Sequence, residues 1–216
     1  MKSNPFATRF VRPGEIAWVA TGHDDSLTVL ADGFQTRFRR RAAIVGPHGS
    51  GKSTLLEHLV PLLNGEKVLL KLRRCEQPFK KIRASTPQWS RGATLVLDGF
   101  EQLSTWQAIR VCWMARQRRM GLLVTCHQPS WLLPTLLRLA PTAELVQRLV
   151  KERLAESHAR SRLDRSQWIE EMTDEQRLKR WLTEEHGSVR EVFMRLYDCY
   201  EDRQTSASLP ATRESD

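Results

Sequence analysis

Cysteine is scarce in this sequence: the four residues are Cys75, Cys112, Cys126 and Cys199. None of them forms a Cys-x-x-Cys pair, which argues against both a zinc site and a secreted disulfide framework. The expected location is therefore a reducing cytoplasm. The first twenty residues lack the unbroken apolar core of a signal peptide, and no run of about 18 apolar residues occurs, so we expect no membrane-spanning helix.

Acidic residues are fewer than basic ones: the chain has 25 Asp and Glu and 34 Lys and Arg, which gives a net charge of +9. Nucleic acid is a possible partner for such a chain. Two simpler explanations stay open, because arginines on helices ordinarily face solvent and a nucleotide site itself needs positive charge. No known nucleic-acid-reading motif accompanies the charge.

A complete phosphate-binding motif, Gly-x-x-x-x-Gly-Lys-Ser, occupies residues 46–53. It lies between an apolar run at 42–45 and a helical apolar pattern that begins at residue 54, which is the strand-loop-helix context that this motif requires. Its glycines let the chain curl so that backbone N–H groups converge on phosphate. The predicted nucleotide-binding residues are Gly46, Pro47, His48, Gly49, Ser50, Gly51, Lys52, Ser53 and Thr54.

Acidic residues after the apolar segment 94–98 predict a metal site and a catalytic group. Asp98 ends this segment, where it can hold Mg²⁺ through water, opposite the Ser53 hydroxyl, although it could also cap the next helix. Glu101 is the first candidate for positioning the attacking water, with a helix-dipole role as the alternative. Glu76 is a weaker candidate.

Other polar and aromatic residues are candidates for contacts with the nucleotide. Thr125 or His127, at the end of the segment 121–125, could sense the γ-phosphate. Arg190 could reach the phosphates from a C-terminal lid, or could simply face solvent. Stacking on adenine is a possible role for three aromatic residues of the N-terminal region, although Trp18 also suits a buried strand. These three are Phe6, Phe10 and Trp18.

Alternating strand and helix signals predict an α/β three-layer sandwich with a mainly parallel five-stranded sheet and a small C-terminal helical lid. The predicted strands lie at 42–46, 67–73, 94–98, 121–125 and 133–139. The predicted regions are an N-terminal arm, a nucleotide-binding core, a helical lid and a disordered tail, at 1–40, 41–141, 142–201 and 202–216.

Helical periodicity and capping signals add three predictions. Trp106 and Trp113 share an apolar stripe of one helix, which predicts that both are buried. The patterns Thr173-x-x-Gln176 and Ser188-x-x-Glu191 each fit a capping box and predict two helix starts. Gly187 is expected to end the helix before the second of them.

Residues 40–140 resemble the P-loop NTPase superfamily, and the extra strand between the phosphate loop and Asp98 is similar to its additional-strand division. Three segments resemble different ATPases within that division. Leu95–Leu103 is similar to STAND proteins, Gly187–Arg190 to the lid arginine of AAA+ proteins, and Thr125–His127 to the switch histidine of ABC proteins. The subfamily is therefore open. Gly99 stands where many of these ATPases have their catalytic glutamate.

We therefore predict an ATP-binding protein, a Mg²⁺-dependent ATPase that switches conformation and acts through a partner protein or a homo-oligomer. One alternative is a nucleotide-binding interaction module with little turnover, because a glutamate after Asp98 is missing. The other is a small-molecule kinase, since Leu97–Phe100 resembles a segment of adenylate kinases. ATP is expected rather than GTP because the chain lacks an Asn-Lys-x-Asp motif.

Overall fold

The computed structural model describes residues 4–7, 17–20, 25–72, 77–158 and 166–208. The chain divides into two compact units, of which the first combines residues 1–16 with 141–216 and the second spans residues 17–140. We call them the helical unit and the sheet unit. No helix among the described residues is long and apolar enough to cross a membrane.

Five parallel strands form the sheet of the described chain, in the order β2-β3-β4-β1-β5. Their bounds are Arg41–Val45 (β1), Lys67–Lys71 (β2), Thr94–Asp98 (β3), Gly121–Cys126 (β4) and Thr135–Arg138 (β5). The predicted strands are confirmed with small shifts at their ends. The strand inserted between β1 and β3 is β4, whereas β2, which separates them along the chain, lies at the sheet edge.

Helices cover both faces of the sheet and bury its apolar strands. Their bounds are Leu27–Gln35 (α1), Lys52–Leu59 (α2), Pro78–Ser85 (α3) and Thr105–Gln117 (α4). Helices α1 and α2 pack with Val96 and Leu123 on one face. Helices α3 and α4 pack with Leu95 and Leu97 on the other. Successive strand residues alternate between the two layers because side chains of a strand point to opposite faces. The predicted three-layer α/β fold is therefore confirmed.

Helix α1 lies within the region that was predicted as an N-terminal arm, yet it belongs to the sheet unit. Ser26 caps its first turn by accepting from the Val29 backbone N–H at 3.4 Å. Leu30 and Phe34 are buried against the sheet. The apolar pattern of this helix covers only nine residues. The burial of its side chains depends on strands that are distant in the sequence.

The predicted burial of the tryptophans on α4 is wrong. Trp106 is 77% exposed and Trp113 is 58% exposed. The face that packs on the sheet consists instead of Ala108, Val111 and Ala115. The tryptophans and this small-residue set both have helical spacing, so periodicity by itself does not identify the buried face. The small residues are buried because they allow the helix backbone to approach the sheet closely.

Four helices form the described C-terminal part of the helical unit: Ala143–His158 (α5), Ser166–Met172 (α6), Glu175–Glu184 (α7) and Val189–Ser208 (α8). The second predicted capping residue is confirmed, because the Ser188 hydroxyl accepts from the Glu191 N–H at 3.3 Å. The first is displaced by one residue, since Asp174 and not Thr173 caps α7. Gly187, with φ of 81°, follows the end of α7 as predicted.

The last helix is longer than its apolar stripe predicts. Helix α8 continues to Ser208, whereas the sequence pattern predicts a disordered tail from residue 202; residues 209–216 lie outside the described part of the chain. Phe6 packs edge-on against Phe193 and Tyr200 of this helix, with ring centroids 5.9 and 6.4 Å away.

Candidate functional site

The carboxyl ends of β1, β3 and β4 meet at one edge of the sheet because all three strands are parallel. Val45 pairs with Cys126, and Leu97 pairs with Val124. This register brings together the phosphate loop at 46–51, the end of β3 and the end of β4. The open edge of a parallel sheet at its carboxyl ends is where α/β proteins bind their ligands.

The phosphate loop is held in a curled conformation by its own lysine. Lys52 is only 2% exposed, and its ammonium donates to the backbone carbonyls of Gly46 and Pro47 at 2.6 Å each. Gly49 and Gly51 have φ angles of 72° and 94°, a region that glycine occupies without strain. Gly51 directly precedes α2, whose N-terminal dipole favours an anion.

Gly46 is required for a different reason, which is close approach. A Cβ at this position would lie 2.6 Å from Ser50 Oγ and 3.0 Å from the Leu139 carbonyl oxygen. The Gly46 N–H donates to the Cys126 carbonyl at 3.1 Å, which ties the loop to β4. An added methyl group would have to push the loop away from the backbone that follows β5.

Gly46→Ala is therefore expected to lower the free energy of unfolding by about 1–3 kcal/mol, because overpacking displaces backbone. Thermal or urea unfolding measures this change. Gly33→Ala is the matched control: its Cβ would meet nothing within 4 Å, and Gly33 lies inside α1. Alanine there should raise stability by about 0.5–1 kcal/mol. Equal effects of the two substitutions would contradict the close approach at Gly46.

Asp98 connects the phosphate loop to both neighbouring strands. Its Oδ2 accepts from the Ser53 hydroxyl at 2.8 Å, and its Oδ1 accepts from the Thr125 hydroxyl at 2.8 Å. The Thr125 oxygen in turn accepts from the Gly99 backbone N–H at 2.8 Å. Thr125 is fully buried, so its hydroxyl is engaged in orienting Asp98. This contact favours a positioning role for Thr125 over the predicted role as a phosphate sensor.

Gly99 explains why no glutamate follows Asp98. Its φ is 98°, and a residue with a Cβ is strained in that conformation. The turn brings the next acidic residue, Glu101, into a short 3-10 segment, Phe100–Gln102. Glu101 therefore lies three residues after Asp98, within this short segment.

Glu101 and His127, two residues for which the sequence predicts separate roles, form a close pair. His127 Nε2 lies 3.2 Å from Glu101 Oε1. Both Glu101 oxygens and His127 Nε2 are inaccessible to solvent and make no hydrogen bond of good geometry with the described residues. The ring of His48, from the phosphate loop, contacts the ring of His127 edge-on, with centroids 5.9 Å apart. Sequence analysis missed this contact between the two histidines, although both follow strands that end at the same edge.

Cys126 is the last residue of β4, and its thiol is unreactive. Burial, and then the negative charge of Glu101, raise the pKa of its thiol to about 12, against the opposing effect of Lys52. A neutral thiol is a poor nucleophile. Cys126 therefore serves the site through its backbone carbonyl, which holds Gly46.

The residues at this edge fit magnesium. Among the described residues no group of three or more His, Cys, Asp or Glu side chains could enclose a metal ion. Mg²⁺ does not need such a group, since it is ordinarily bound by one or two protein oxygens with water and substrate phosphates. The Ser53 hydroxyl and the Asp98 carboxylate, 2.8 Å apart, are oxygen donors of this kind.

The remaining predicted residues belong to the helical unit, pack beside α1 in the sheet unit, or lie outside the described residues. Phe6 is 2% exposed within the helical unit, so it does not stack on adenine. The Trp18 indole donates to the Asp25 carbonyl at 3.0 Å and packs beside α1. Arg190 is an exposed residue of the first turn of α8. Glu76 and Phe10 are outside the described residues.

Comparison with solved structures finds similar folds. Two RuvB variants from Thermotoga maritima match with TM-scores of 0.56 each, at 18% and 17% identity, over 85% and 86% of this chain. The chain spans 62% and 63% of those two proteins, less than two thirds. PCH-2 of C. elegans matches with a TM-score of 0.46 at 11% identity, over 91% of this chain and 73% of its own.

The sequence matches no known family model, and no curated protein sequence resembles it significantly. The sheet order, the phosphate loop and the RuvB match together define a P-loop NTPase fold of the additional-strand division. The subfamily within that division stays open.

Proposed function

We propose that this protein is a Mg²⁺-dependent ATPase. The observation that carries this proposal is the Asp98 carboxylate, which accepts from Ser53 of the phosphate-loop motif on one oxygen and from Thr125 of β4 on the other, at 2.8 Å each. A carboxylate fixed beside the hydroxyl that follows the loop lysine is the oxygen-donor pair expected of a P-loop NTPase.

The phosphate loop provides the binding energy. Backbone N–H groups at 46–51 and the N-terminus of α2 would face the triphosphate, and the Lys52 ammonium would exchange its two carbonyl partners for phosphate oxygens. Ser53 and Asp98 would hold Mg²⁺, which when bound neutralises charge on the β- and γ-phosphates. This exchange at Lys52 makes the loop conformation respond to nucleotide.

Glu101 supplies the group that orients the attacking water. Its oxygens are withdrawn from solvent and are not engaged by good hydrogen bonds from the described residues, so they can accept from a water molecule. The water oxygen forms a bond to the γ-phosphorus, the bond from that phosphorus to the β–γ bridging oxygen breaks, and Glu101 takes the proton. ADP and phosphate are the products.

His127 is placed to couple hydrolysis to conformation. It lies 3.2 Å from Glu101 and touches the ring of His48 in the phosphate loop. A γ-phosphate bound by the loop would attract His127 toward its negative charge and thereby change the distance to Glu101. Arg190 is proposed as a further phosphate contact from the helical unit, which would then act as a lid.

Glu101→Gln tests the role of the carboxylate. We expect steady-state ATP turnover to fall about 100-fold or more, since general-base groups contribute on this order. Binding of ATP, measured by calorimetry or by a fluorescent analogue, should stay within about threefold of the wild type because the glutamate does not hold the phosphates. Glu66→Gln, which neutralises an exposed glutamate outside the site, is the matched control and should leave both quantities unchanged.

The second candidate function is a nucleotide-binding interaction module with little turnover, and Gly99 favours it because the usual position of the catalytic glutamate is closed to one. Negligible and equal turnover in the wild type and in Glu101→Gln, with ATP binding intact, would support the module and contradict the ATPase. In either case we propose that the output passes to a partner protein or to a second copy of the chain, in the cytoplasm.

A further inference from the structure

The outer surface of α3 and α4 is strongly basic. From residue 77 to residue 119 the sequence has two acidic residues, Asp98 and Glu101, and both belong to the nucleotide site. Eight basic residues lie in the same segment, and all eight are exposed: Lys80, Lys81, Arg83, Arg91, Arg110, Arg116, Arg118 and Arg119. Within this segment, eight exposed basic side chains are therefore offset by no exposed acidic side chain.

Two exposed tryptophans interrupt this charge on α4. Trp106 and Trp113 expose 77% and 58% of their surface. They are seven residues apart, which corresponds to two helical turns and a rise of about 10 Å along one side of the helix. Burying a tryptophan is strongly favourable, so two of them left in solvent on one helix face indicate a binding surface.

Helices α3 and α4 present this surface as one continuous face. The Arg110 guanidinium lies 5.4 Å from the centre of the Phe79 ring, which joins the two helices. At the other end Arg118 donates to the Thr86 carbonyl at 2.8 Å and lies over the Trp89 ring. These contacts fix two cations, Arg110 and Arg118, in position. We call the exposed side chains of α3 and α4, together with those of Arg118 and Arg119 that follow α4, the basic tryptophan face.

We propose that the basic tryptophan face binds single-stranded nucleic acid, with bases stacked on Trp106 and Trp113 and phosphates near the surrounding lysines and arginines. Aromatic platforms within a positively charged surface bind single strands in this way, because every base has a π-face and every linkage a negative charge. A duplex offers its phosphates but keeps its bases stacked on each other. An acidic protein segment would match the charge and leave the two indoles without flat partners.

This inference goes beyond the proposed ATPase activity and does not depend on it. The face is formed by the outer sides of α3 and α4, whereas the phosphate loop leads into α2 on the opposite layer of the sheet. Helix α4 begins at Thr105, four residues after Glu101. Nucleic acid bound to the face would therefore contact a helix that directly follows the proposed catalytic residue.

The test is fluorescence anisotropy with a labelled oligothymidylate of about 20 nucleotides, long enough to cover a single-strand site. We expect the full chain to bind it, and the double variant Trp106→Ala, Trp113→Ala to bind at least about 25-fold more weakly, from about fivefold for each indole that no longer stacks on a base. The double variant Trp106→Phe, Trp113→Phe keeps flat rings and should retain most of the affinity. Both variants should bind ATP as the wild type does.

Charge is tested by matched triple substitutions. Replacing Lys80, Arg83 and Arg116 with glutamine should reduce the slope of log affinity against log salt by about 2, at about 0.7 for each phosphate that is no longer neutralised. The control replaces three exposed cations of the helical unit, Lys151, Lys179 and Arg180, and should leave the slope unchanged. Three results would overturn the proposal: no binding at about 0.1 M salt, equal binding by the alanine variant, or equal loss in both triple variants. Heparin bound as tightly as the oligonucleotide and unaffected by the indoles would assign the face to an acidic partner instead.

Discussion

Lys52→Ala is expected to weaken ATP binding by about 100-fold or more and to bring turnover below detection. Lys52 is buried, and its ammonium already donates to two carbonyl oxygens of the loop. Its side chain is therefore already ordered near the position of the phosphates, so binding ATP costs little side-chain entropy. Hydrogen bonds to charged groups contribute about 1.5–3 kcal/mol each, and losing two of them gives an effect of this size. Isothermal calorimetry with ATP and Mg²⁺ measures the affinity directly.

Lys179→Ala is the control for this substitution, because it removes the same charge from an exposed position on α7. It should leave affinity for ATP unchanged. Circular dichroism of both variants separates loss of binding from loss of fold. A folded Lys52→Ala variant that binds ATP within a few-fold of the wild type would contradict the nucleotide site itself.

Asp98→Asn is expected to lower turnover by about 100-fold or more and to weaken the dependence on Mg²⁺. The substitution keeps the shape of the side chain and removes its negative charge. An amide nitrogen in place of Oδ2 would not accept from the Ser53 hydroxyl, and Mg²⁺ would lose the one carboxylate that is proposed to hold it. Stabilisation of the developing charge by a metal contributes several kcal/mol, and each 1.36 kcal/mol is tenfold in rate. Titration of turnover with Mg²⁺ measures both effects.

Thr125→Val tests the residue that orients Asp98 separately from the Asp98 carboxylate itself. It removes the hydroxyl that bonds Asp98 Oδ1 and the Gly99 N–H while keeping nearly the same volume. If Thr125 positions the carboxylate, Thr125→Val should lower turnover less than Asp98→Asn does. The Mg²⁺ concentration for half-maximal rate should rise because the carboxylate is less well oriented.

An Asp98→Asn variant with wild-type turnover and Mg²⁺ dependence would contradict the role of Mg²⁺ in the proposed mechanism.

Local patterns predict most of the sheet because the centre of each strand is a short apolar run. The β3 prediction matches the structure at both ends, and β1, β2 and β4 differ by at most two residues at an end. The phosphate loop is equally local, since its glycine spacing and its lysine lie within eight residues. Asp98 could be proposed because the carboxyl ends of parallel strands converge at one edge.

Helix faces were harder to predict because an amphipathic pattern does not identify its partner. Helix α4 has a large-residue stripe with Trp106 and Trp113 and a small-residue stripe with Ala108 and Ala115, and only the second packs on the sheet. Helix α8 runs beyond its apolar stripe to Ser208. In both cases the outcome depends on residues that are distant in the chain.

The amino-acid sequence by itself determined the phosphate loop, the parallel strands and the acidic residues that follow β3, since each of these depends on neighbours within a few positions. Tertiary structure alone decided that the Thr125 hydroxyl orients Asp98, that His127 lies 3.2 Å from Glu101, and that two tryptophans stay in solvent. The physical reason is that hydrogen bonds and burial between strands depend on register and on interlayer packing, which no single segment encodes.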